Sequence, residues 1–294
     1  MAPLLLDASV GEKIDAVFYQ FDMFIYHIFS FIHCGFMNKV AMAFTSFGDE
    51  RFVIPVAIIA LCLCFFKKTR KYGATIAGAI VLGTLLTNIV LKPAVLRIRP
   101  YNTLQGIKEY WDCYIGAGAF SESDYSFPSG HTTGVFEIAV SLGLCLRKDG
   151  KKGISWIPSI IAFLTGLSRI YLCVHYPSDI IGGILAGTIA AVISYVIVSV
   201  ILNAVKNTFI DKIDLSEKVS FFKKNGKAII AVCVVASFMF SFITQFSEGG
   251  NAERCAYEGS DYNCYNEAKT GDDYPPIDGK NYCKIHRKQL LSAE

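Results

Sequence analysis

The chain has 294 residues, 53% of them apolar or aromatic and only 18% charged, with a formal net charge of +3. Typical soluble domains carry roughly 25% charged residues, so the composition argues against an ordinary cytosolic enzyme and for a polytopic membrane protein. It also excludes a disordered chain, a collagen and a coiled coil, and the near-neutral charge leaves no footprint for nucleic acid.

A transmembrane helix needs roughly 20 mostly apolar residues. Residues 1–51 form an N-terminal segment with no basic stretch ahead of an apolar core, so no cleavable signal peptide is expected. Within it, 17–36 is aromatic but carries Asp22, His27 and His33, and is open to spanning the membrane or lying in its interface. Residues 37–47 space Met37, Val40, Ala41, Phe44 and Phe47 as an interfacial helix would. Six further stretches read as spans: 52–66, 73–91, 131–146, 154–172, 180–202 and 228–246. The fold class expected is all-α, a membrane helical bundle of six or seven spans. Its parts are a catalytic core over 52–202, a connector over 203–227, an extra span over 228–246 and a polar tail over 247–294.

Basic residues orient the bundle. Lys67, Lys68, Arg70 and Lys71 follow the first clear span, and Arg147, Lys148, Lys151 and Lys152 crowd a second loop. Lys206, Lys212, Lys218, Lys223, Lys224 and Lys227 mark a third. These loops alternate onto one side, which the positive-inside rule makes cytoplasmic. The loops 92–130 and 173–179 and the tail then lie outside.

Three segments on that outer face carry chemistry. In the first, Lys92 and Arg99 are seven residues apart, a spacing that puts them on one helix face, with Arg97 an additional charge and Pro100 following. Taken alone these read as cations snorkelling at a membrane boundary. In the second, Pro128, Ser129, Gly130 and His131 open a span, where Ser and Gly leave backbone N–H groups free for an anion or simply cap the helix. In the third, Ser168 and Arg169 are followed by His175 and Asp179. That four-residue spacing lets a carboxylate take the N–H of one imidazole nitrogen and leave the other as a nucleophile, or closes a turn with an ion pair. Together the three segments bring cations, imidazoles and a helix N-terminus to one face, a set suited to a tetrahedral oxyanion. No carboxylate cluster suits magnesium and no Cys/His spacing suits zinc, so no metal or other cofactor is expected.

The pattern Lys-x6-Arg-Pro, Pro-Ser-Gly-His, Ser-Arg-x5-His-x3-Asp resembles the type 2 phosphatidic acid phosphatase superfamily. The similarity covers roughly 20–202, including Thr45 to Asp49, and all three motifs are complete. The resemblance implies that His175 is a nucleophile forming a phosphohistidine, that Asp179 orients it, and that His131 is the general acid and then the base. It implies that Lys92, Arg99, Arg169, Ser129 and the Gly130 N–H clamp the phosphate. Vanadium haloperoxidases share the constellation but are soluble, against the spans seen here. The substrate expected is a lipid phosphate at the outer face of a bacterial cell membrane, with undecaprenyl diphosphate leading. Phosphatidic acid, phosphatidylglycerophosphate and a glucose-6-phosphatase-like role are rivals, and a non-catalytic lipid-binding or scaffold protein is the alternative of another class.

The loop 101–127 holds Tyr101, Tyr110, Trp111, Tyr114 and Tyr125 beside Glu109, Asp112, Glu122 and Asp124, and its aromatics read as an interfacial belt. Glu137, inside a span, is expected to pair with a polar residue such as Asn88, with membership of the site as the alternative. The tail holds Cys255, Cys264 and Cys283. With Cys113 they make four, and two disulfides would tether the tail over the site as a lid; one bond within the tail plus free thiols is the alternative. Cys62, Cys64, Cys145 and Cys233 read as small apolar residues within spans.

Overall fold

The structure, a computed structural model, describes residues 8–215, 220–248, 253–257, 264–270 and 273–293. Helix α1 (Val10–Ser30) opens on a capping box, in which Glu12 N donates to Ser9 Oγ and Ser9 N to Glu12 Oε2. It buries Asp22 and Tyr26 and leaves Val17 and Phe24 exposed. Helix α2 (Gly35–Thr45), expected as interfacial, lies against α9 (Ile157–Tyr171). Asp49 caps α3 (Glu50–Leu63) by accepting from Arg51 N.

Helix α4 (Arg70–Thr84) continues through a π-helical stretch, Leu85–Leu91, into the single turn α5 (Lys92–Val95). Leu96, at φ 57°, ends it. Short helices α6 (Pro100–Thr103) and α7 (Lys108–Gly116) follow. The centre of the bundle is α8 (Gly130–Lys148), packed between α4, α9 and α10 (Pro177–Ala204). A short α11 (Phe209–Lys212) precedes α12 (Ser220–Glu248), and α13 (Lys284–Ala293) closes the tail. Two isolated β-bridges, Arg254 with Glu267 and Ile277 with Lys280, lie in the tail.

Four stretches are long and apolar enough to cross a membrane: Arg70–Thr103, Lys152–Tyr171, Pro177–Ala204 and Asn225–Phe246. The expected spans 52–66 and 131–146 are the helices α3 and α8, but α3 has only 14 residues and α8 mixes Thr132, Thr133, Glu137 and Ser141 into its buried face. Those polar residues are covered by neighbouring helices rather than by lipid. The connector expected over 203–227 is shorter in the described chain, because α12 starts at Ser220.

Helices α8 and α10 approach closely through Gly183 and Gly187, a small-x3-small pair that lets membrane helices touch backbone to backbone. A Cβ on Gly187 would stand 2.5 Å from Thr133 O, and one on Gly183 2.9 Å from Ser129 O. Gly187→Leu is therefore expected to cost about 1–3 kcal/mol or more through overpacking. Gly35→Ala, at a glycine with open space around it, is expected to stay within about 0.5 kcal/mol. Thermal unfolding in detergent compares the two.

The basic loops gather at one end of the bundle. Lys67 Nζ pairs with Asp211 at 3.2 Å, Leu215 N donates to Phe65 O at 3.1 Å, and Tyr72 binds Asp149. At the other end α12 returns, with Ser241 Oγ donating to Ser46 O at 2.9 Å and Gln245 to Asp49.

The described tail docks on the loop before α8. Glu267 N donates to Glu122 O at 3.3 Å, Lys284 N to Ser123 O at 3.1 Å, and Asn102 Nδ2 to Asn266 Oδ1 at 2.9 Å. The lid-like placement is thus present without the expected disulfides, since all ten cysteines are free thiols. Cys113 faces away, into a small pocket under α1 with Met23, His33 and Cys173. The tail also gathers a Cys/His set that no regular spacing announces. Cys255, Cys264, Cys283 and His286 converge and are buried, although their spacings of eight, eighteen and two intervening residues hide this in the sequence.

Candidate active site

The expected pairing of Lys92 and Arg99 on one helix face does not form, because the left-handed Leu96 turns the chain out of the helix between them. Both still reach the site, from different directions. Lys92 Nζ holds Asp124 Oδ2 at 2.6 Å and stands over the N-terminus of α8, 3.8 Å from where a Gly130 Cβ would lie. Ser129 is the fully buried N-cap of α8, accepting from Thr132 Oγ1 at 3.0 Å. Gly48 lies so close to His131 that a Cβ there would come within 2.7 Å of the His131 Cβ, so the 45–49 turn seats this imidazole.

His175 sits in the turn between α9 and α10 and is fully buried. Tyr26 donates to its carbonyl at 2.8 Å and Tyr110 to the Cys173 carbonyl at 2.6 Å, which holds the turn. Its Nδ1 lies 3.5 Å from Asp179 Oδ2, and its Nε2 lies 3.1 Å from Arg99 Nη1. An Nδ1–H tautomer satisfies both contacts, with the Nε2 lone pair accepting from Arg99 on the side of Glu122. Burial and the Arg99 guanidinium push the imidazole pKa down to about 4, against the pull of Asp179 and Glu122. His175 is therefore neutral at pH 7.

Asp179, in the first turn of α10, accepts from Tyr176 N at 2.9 Å, from Ser126 Oγ, and from Arg97 Nη1 at 2.6 Å. Sequence reasoning left Arg97 as a spare charge. The structure buries it fully and gives it three carboxylates: Asp179, Asp22 at 2.9 Å and Asp15 at 2.8 Å. Its guanidinium also stacks 3.9 Å from the Tyr176 ring centre. Asp22 in turn accepts from Ser178 N at 2.8 Å. A motif with two arginines on either side of Ile98 was the available signal. Its aspartate partners come from α1 and could not be foreseen locally.

The oxyanion-sized position is held by a carboxylate of the protein itself. Glu122 receives hydrogen bonds from Arg99 Nη2 and Arg169 Nη2, with His131 Nδ1 at 3.7 Å and His175 Nε2 at 3.8 Å. Burial opposes its ionisation, but Arg99 and Arg169 together hold it well below the usual carboxylate range. Asp124 lies beside it; burial is again overcome, by Lys92 and Arg99, and its pKa falls to about 2. Arg169 Nη1 donates to Thr45 Oγ1 at 2.7 Å, while its buried Nε–H has no acceptor among the described residues. Thr45, Glu122 and Asp124 were within reach of sequence reasoning only as parts of longer stretches.

Two other expectations change. Tyr101, Tyr110 and Tyr114 are core residues rather than an interfacial belt, buried and stacked, with Tyr101 and Tyr114 centroids 5.3 Å apart. Glu137 is buried against Gly83 and makes no hydrogen bond to Asn88 among the described residues. Both line a cavity of about 980 Å³ that runs from Lys92 and His131 between α3, α4 and α8.

Two arginines and two imidazoles around one carboxylate, with Lys92 and the N-terminus of α8 beside them, make an anion site at one end of a helical bundle. Residues 72–202 match the PAP2 superfamily, and the chain belongs to that superfamily, whose members are phosphoric ester hydrolases. It is 31% identical over 169 residues to the undecaprenyl-diphosphatase of Sulfolobus acidocaldarius, spanning 56% of this chain and 72% of that protein. It is 32% identical over 154 residues to phosphatidylglycerophosphatase B of Bacillus subtilis, spanning 50% and 68%. The crystal structure of a transmembrane PAP2-type phosphatidylglycerolphosphate phosphatase from Bacillus subtilis superposes with a TM-score of 0.51 at 25% identity, covering 67% of this chain and 92% of that one.

Proposed function

We propose that the chain hydrolyses a phosphate monoester or diphosphate on a membrane lipid, with undecaprenyl diphosphate the leading substrate, through a covalent phosphohistidine on His175. The observation that carries this reading is the convergence of Arg99, Arg169, His131 and His175 on the single carboxylate of Glu122. A carboxylate there stands in for phosphoryl oxygens, and the same donors suit a trigonal-bipyramidal transition state better than a planar carboxylate.

In the proposed cycle Glu122 leaves and the phosphoryl group takes its place. Lys92, Arg99, Arg169, Ser129 and the Gly130 N–H bind its oxygens. His175 Nε2 forms the P–N bond as the P–O bond to the lipid breaks; His131, whose pKa burial and Arg169 push down to about 3 with Glu122 in the site, takes up a proton as the phosphate charge enters and gives it to the leaving oxygen. Neutral His131 then takes a proton from water. The resulting hydroxide forms a P–O bond, the P–N bond breaks, and phosphate leaves with His175 restored. Asp179 keeps the Nδ1 proton in place throughout. The carboxylates in the site are each tied to arginine or lysine, a donor set that favours a cycle run on protein cations.

Two features support the finer choice of substrate. The cavity is also lined from the tail by Lys269, Lys284, Lys288 and Arg254, cations placed for a second phosphate. This favours headgroups with two phosphates over phosphatidic acid or glucose 6-phosphate. The site also lies at the end opposite the basic loops, which the positive-inside rule makes extracytoplasmic, on the bacterial cell surface side where such carriers are recycled.

Phosphate release by the full-length protein, with magnesium chelated, tests this reading. Undecaprenyl diphosphate, phosphatidylglycerophosphate, phosphatidic acid and glucose 6-phosphate are compared in wild type and in K284A/K288A. Faster release from two-phosphate lipids, lost selectively in the double variant, is expected; equal rates on all four would refute the substrate choice, and an absolute need for magnesium would refute the mechanism. Glu122→Gln removes a competing negative charge from the anion position. It is expected to tighten inhibition by vanadate about tenfold, or roughly 1.4 kcal/mol, and unchanged or weaker inhibition would show that Glu122 does not compete.

A further inference from the structure

We propose that Cys255, Cys264, Cys283 and His286 bind a structural zinc ion, which clasps the tail onto the active-site loop. The four ligating atoms lie within 4.8 Å of one another and all four residues are buried. In a zinc tetrahedron with Zn–S near 2.3 Å and Zn–N near 2.0–2.1 Å, the ligand atoms stand roughly 3.5–3.8 Å apart. Cys255 Sγ and Cys283 Sγ each lie 3.4 Å from His286 Nδ1, close to that edge. A disulfide would instead need S–S near 2.05 Å, and it would leave one of the three tail thiols unpaired. A zinc ion uses all three and the imidazole.

The surroundings are those of a ligand shell already oriented. Tyr257 stacks on His286 at 3.8 Å with the rings 7° apart, fixing the imidazole plane. Asn266 Nδ2 donates to Cys283 Sγ at 3.5 Å, as second-sphere donors do to thiolates. Cys255 N donates to Asn266 O and Cys264 N to Tyr257 O, so the ligand-bearing segments hold one another. Three thiolates and one imidazole close the coordination sphere. Soft sulfur ligands in a closed tetrahedral set select zinc in a structural role.

The tail needs such a staple. Its described core is the three cysteines and Ile285, with Tyr125, Tyr257 and Tyr282 against them, too little to fold a segment of this size unaided. The residues beside the ligands make the contacts to the site. Asn266 accepts from Tyr101 Oη at 3.0 Å and Asn102 Nδ2 at 2.9 Å. Glu267 N and Lys284 N donate to the carbonyls of Glu122 and Ser123. The ion therefore sets the position of the loop that places Glu122 in the anion site.

Zinc content of the full-length protein purified in detergent without added metal, read by mass spectrometry with a thiol count, tests the proposal. Wild type and Cys113→Ser are expected to hold about one zinc per chain, the stoichiometry of a closed four-ligand site, whereas Cys264→Ser and Cys283→Ser lose it. Because those two variants could misfold, a second readout uses wild type alone. Alkylation of Cys255, Cys264 and Cys283 is expected to be slow until a strong chelator is added and then to rise together, while Cys113 is unaffected. Wild-type protein without zinc, another metal in its place, a disulfide among the three tail cysteines, or alkylation indifferent to chelator would overturn the proposal.

Discussion

Replacing His175 by alanine is expected to lower phosphate release by about four orders of magnitude or more, the range lost when a covalent nucleophile is removed, if His175 has the role proposed for it. The size follows from the surroundings. The imidazole is wholly buried, its Nδ1 faces Asp179 and its Nε2 faces Arg99 and the Glu122 carboxylate, whereas His131, the other imidazole at that position, has no carboxylate among the described residues within 3.5 Å to orient it. Single-turnover assays on His175→Ala and wild type give the ratio. The same residue gives a pH signature. Its folded pKa, about 4, lies below the unfolded 6.5, so between those values the unfolded chain binds a proton that the folded one refuses. Stability through this group is full above about pH 6.5 and falls as the pH drops towards 4. His175→Asn is expected to lack that part of the acid slope in thermal unfolding measured across the window, and a slope identical to wild type would contradict it.

Arg97→Met is expected to destabilise the protein by about 3–5 kcal/mol, the cost of leaving buried charges unpaired. Arg97 is the cation shared by Asp179, Asp22 and Asp15, and both it and Asp179 have fully buried side chains. Removing it strands carboxylates rather than merely losing a bond. Activity is expected to fall with stability, because the Asp179 carboxylate that faces His175 Nδ1 is no longer fixed by Arg97. Arg97→Lys keeps the charge but cannot fork to three acceptors, so it recovers part of the stability and less of the rate. A double variant, R97M/D22N, is expected to be more stable than Arg97→Met alone. Melting temperatures and kcat of the three proteins decide the matter; an unshifted melting point in Arg97→Met would contradict the role assigned here.

Two of the three candidate-site motifs were legible in the sequence because each is local. Ser129, Gly130 and His131 open one helix, and His175 and Asp179 sit four residues apart across a helix start, so spacing alone brings each set together. The long apolar stretches of α4, α9, α10 and α12 were legible for the same reason. What stayed hidden depends on contacts distant in sequence. Asp15 and Asp22 find Arg97 some eighty residues on. Glu122 finds Arg99 and Arg169 only when the loop folds back, and Leu96 takes the left-handed turn that separates Lys92 from Arg99 without any glycine to announce it. The tail misled most. Three tail cysteines made an even set only with Cys113, which suggested disulfides, while His286, unremarked beside them, completes a four-residue cluster.

Rapid-quench labelling tests the central claim most directly. Full-length protein is mixed with a lipid substrate carrying radioactive phosphorus at the terminal phosphate, stopped in alkali within one turnover, and digested. The expected result is an alkali-stable, acid-labile label on the peptide containing His175, absent from His175→Ala and accumulating in His131→Ala, where the water step is slowed. Substrate turnover with no labelled peptide, or with the label on another residue, would contradict a phosphohistidine at His175.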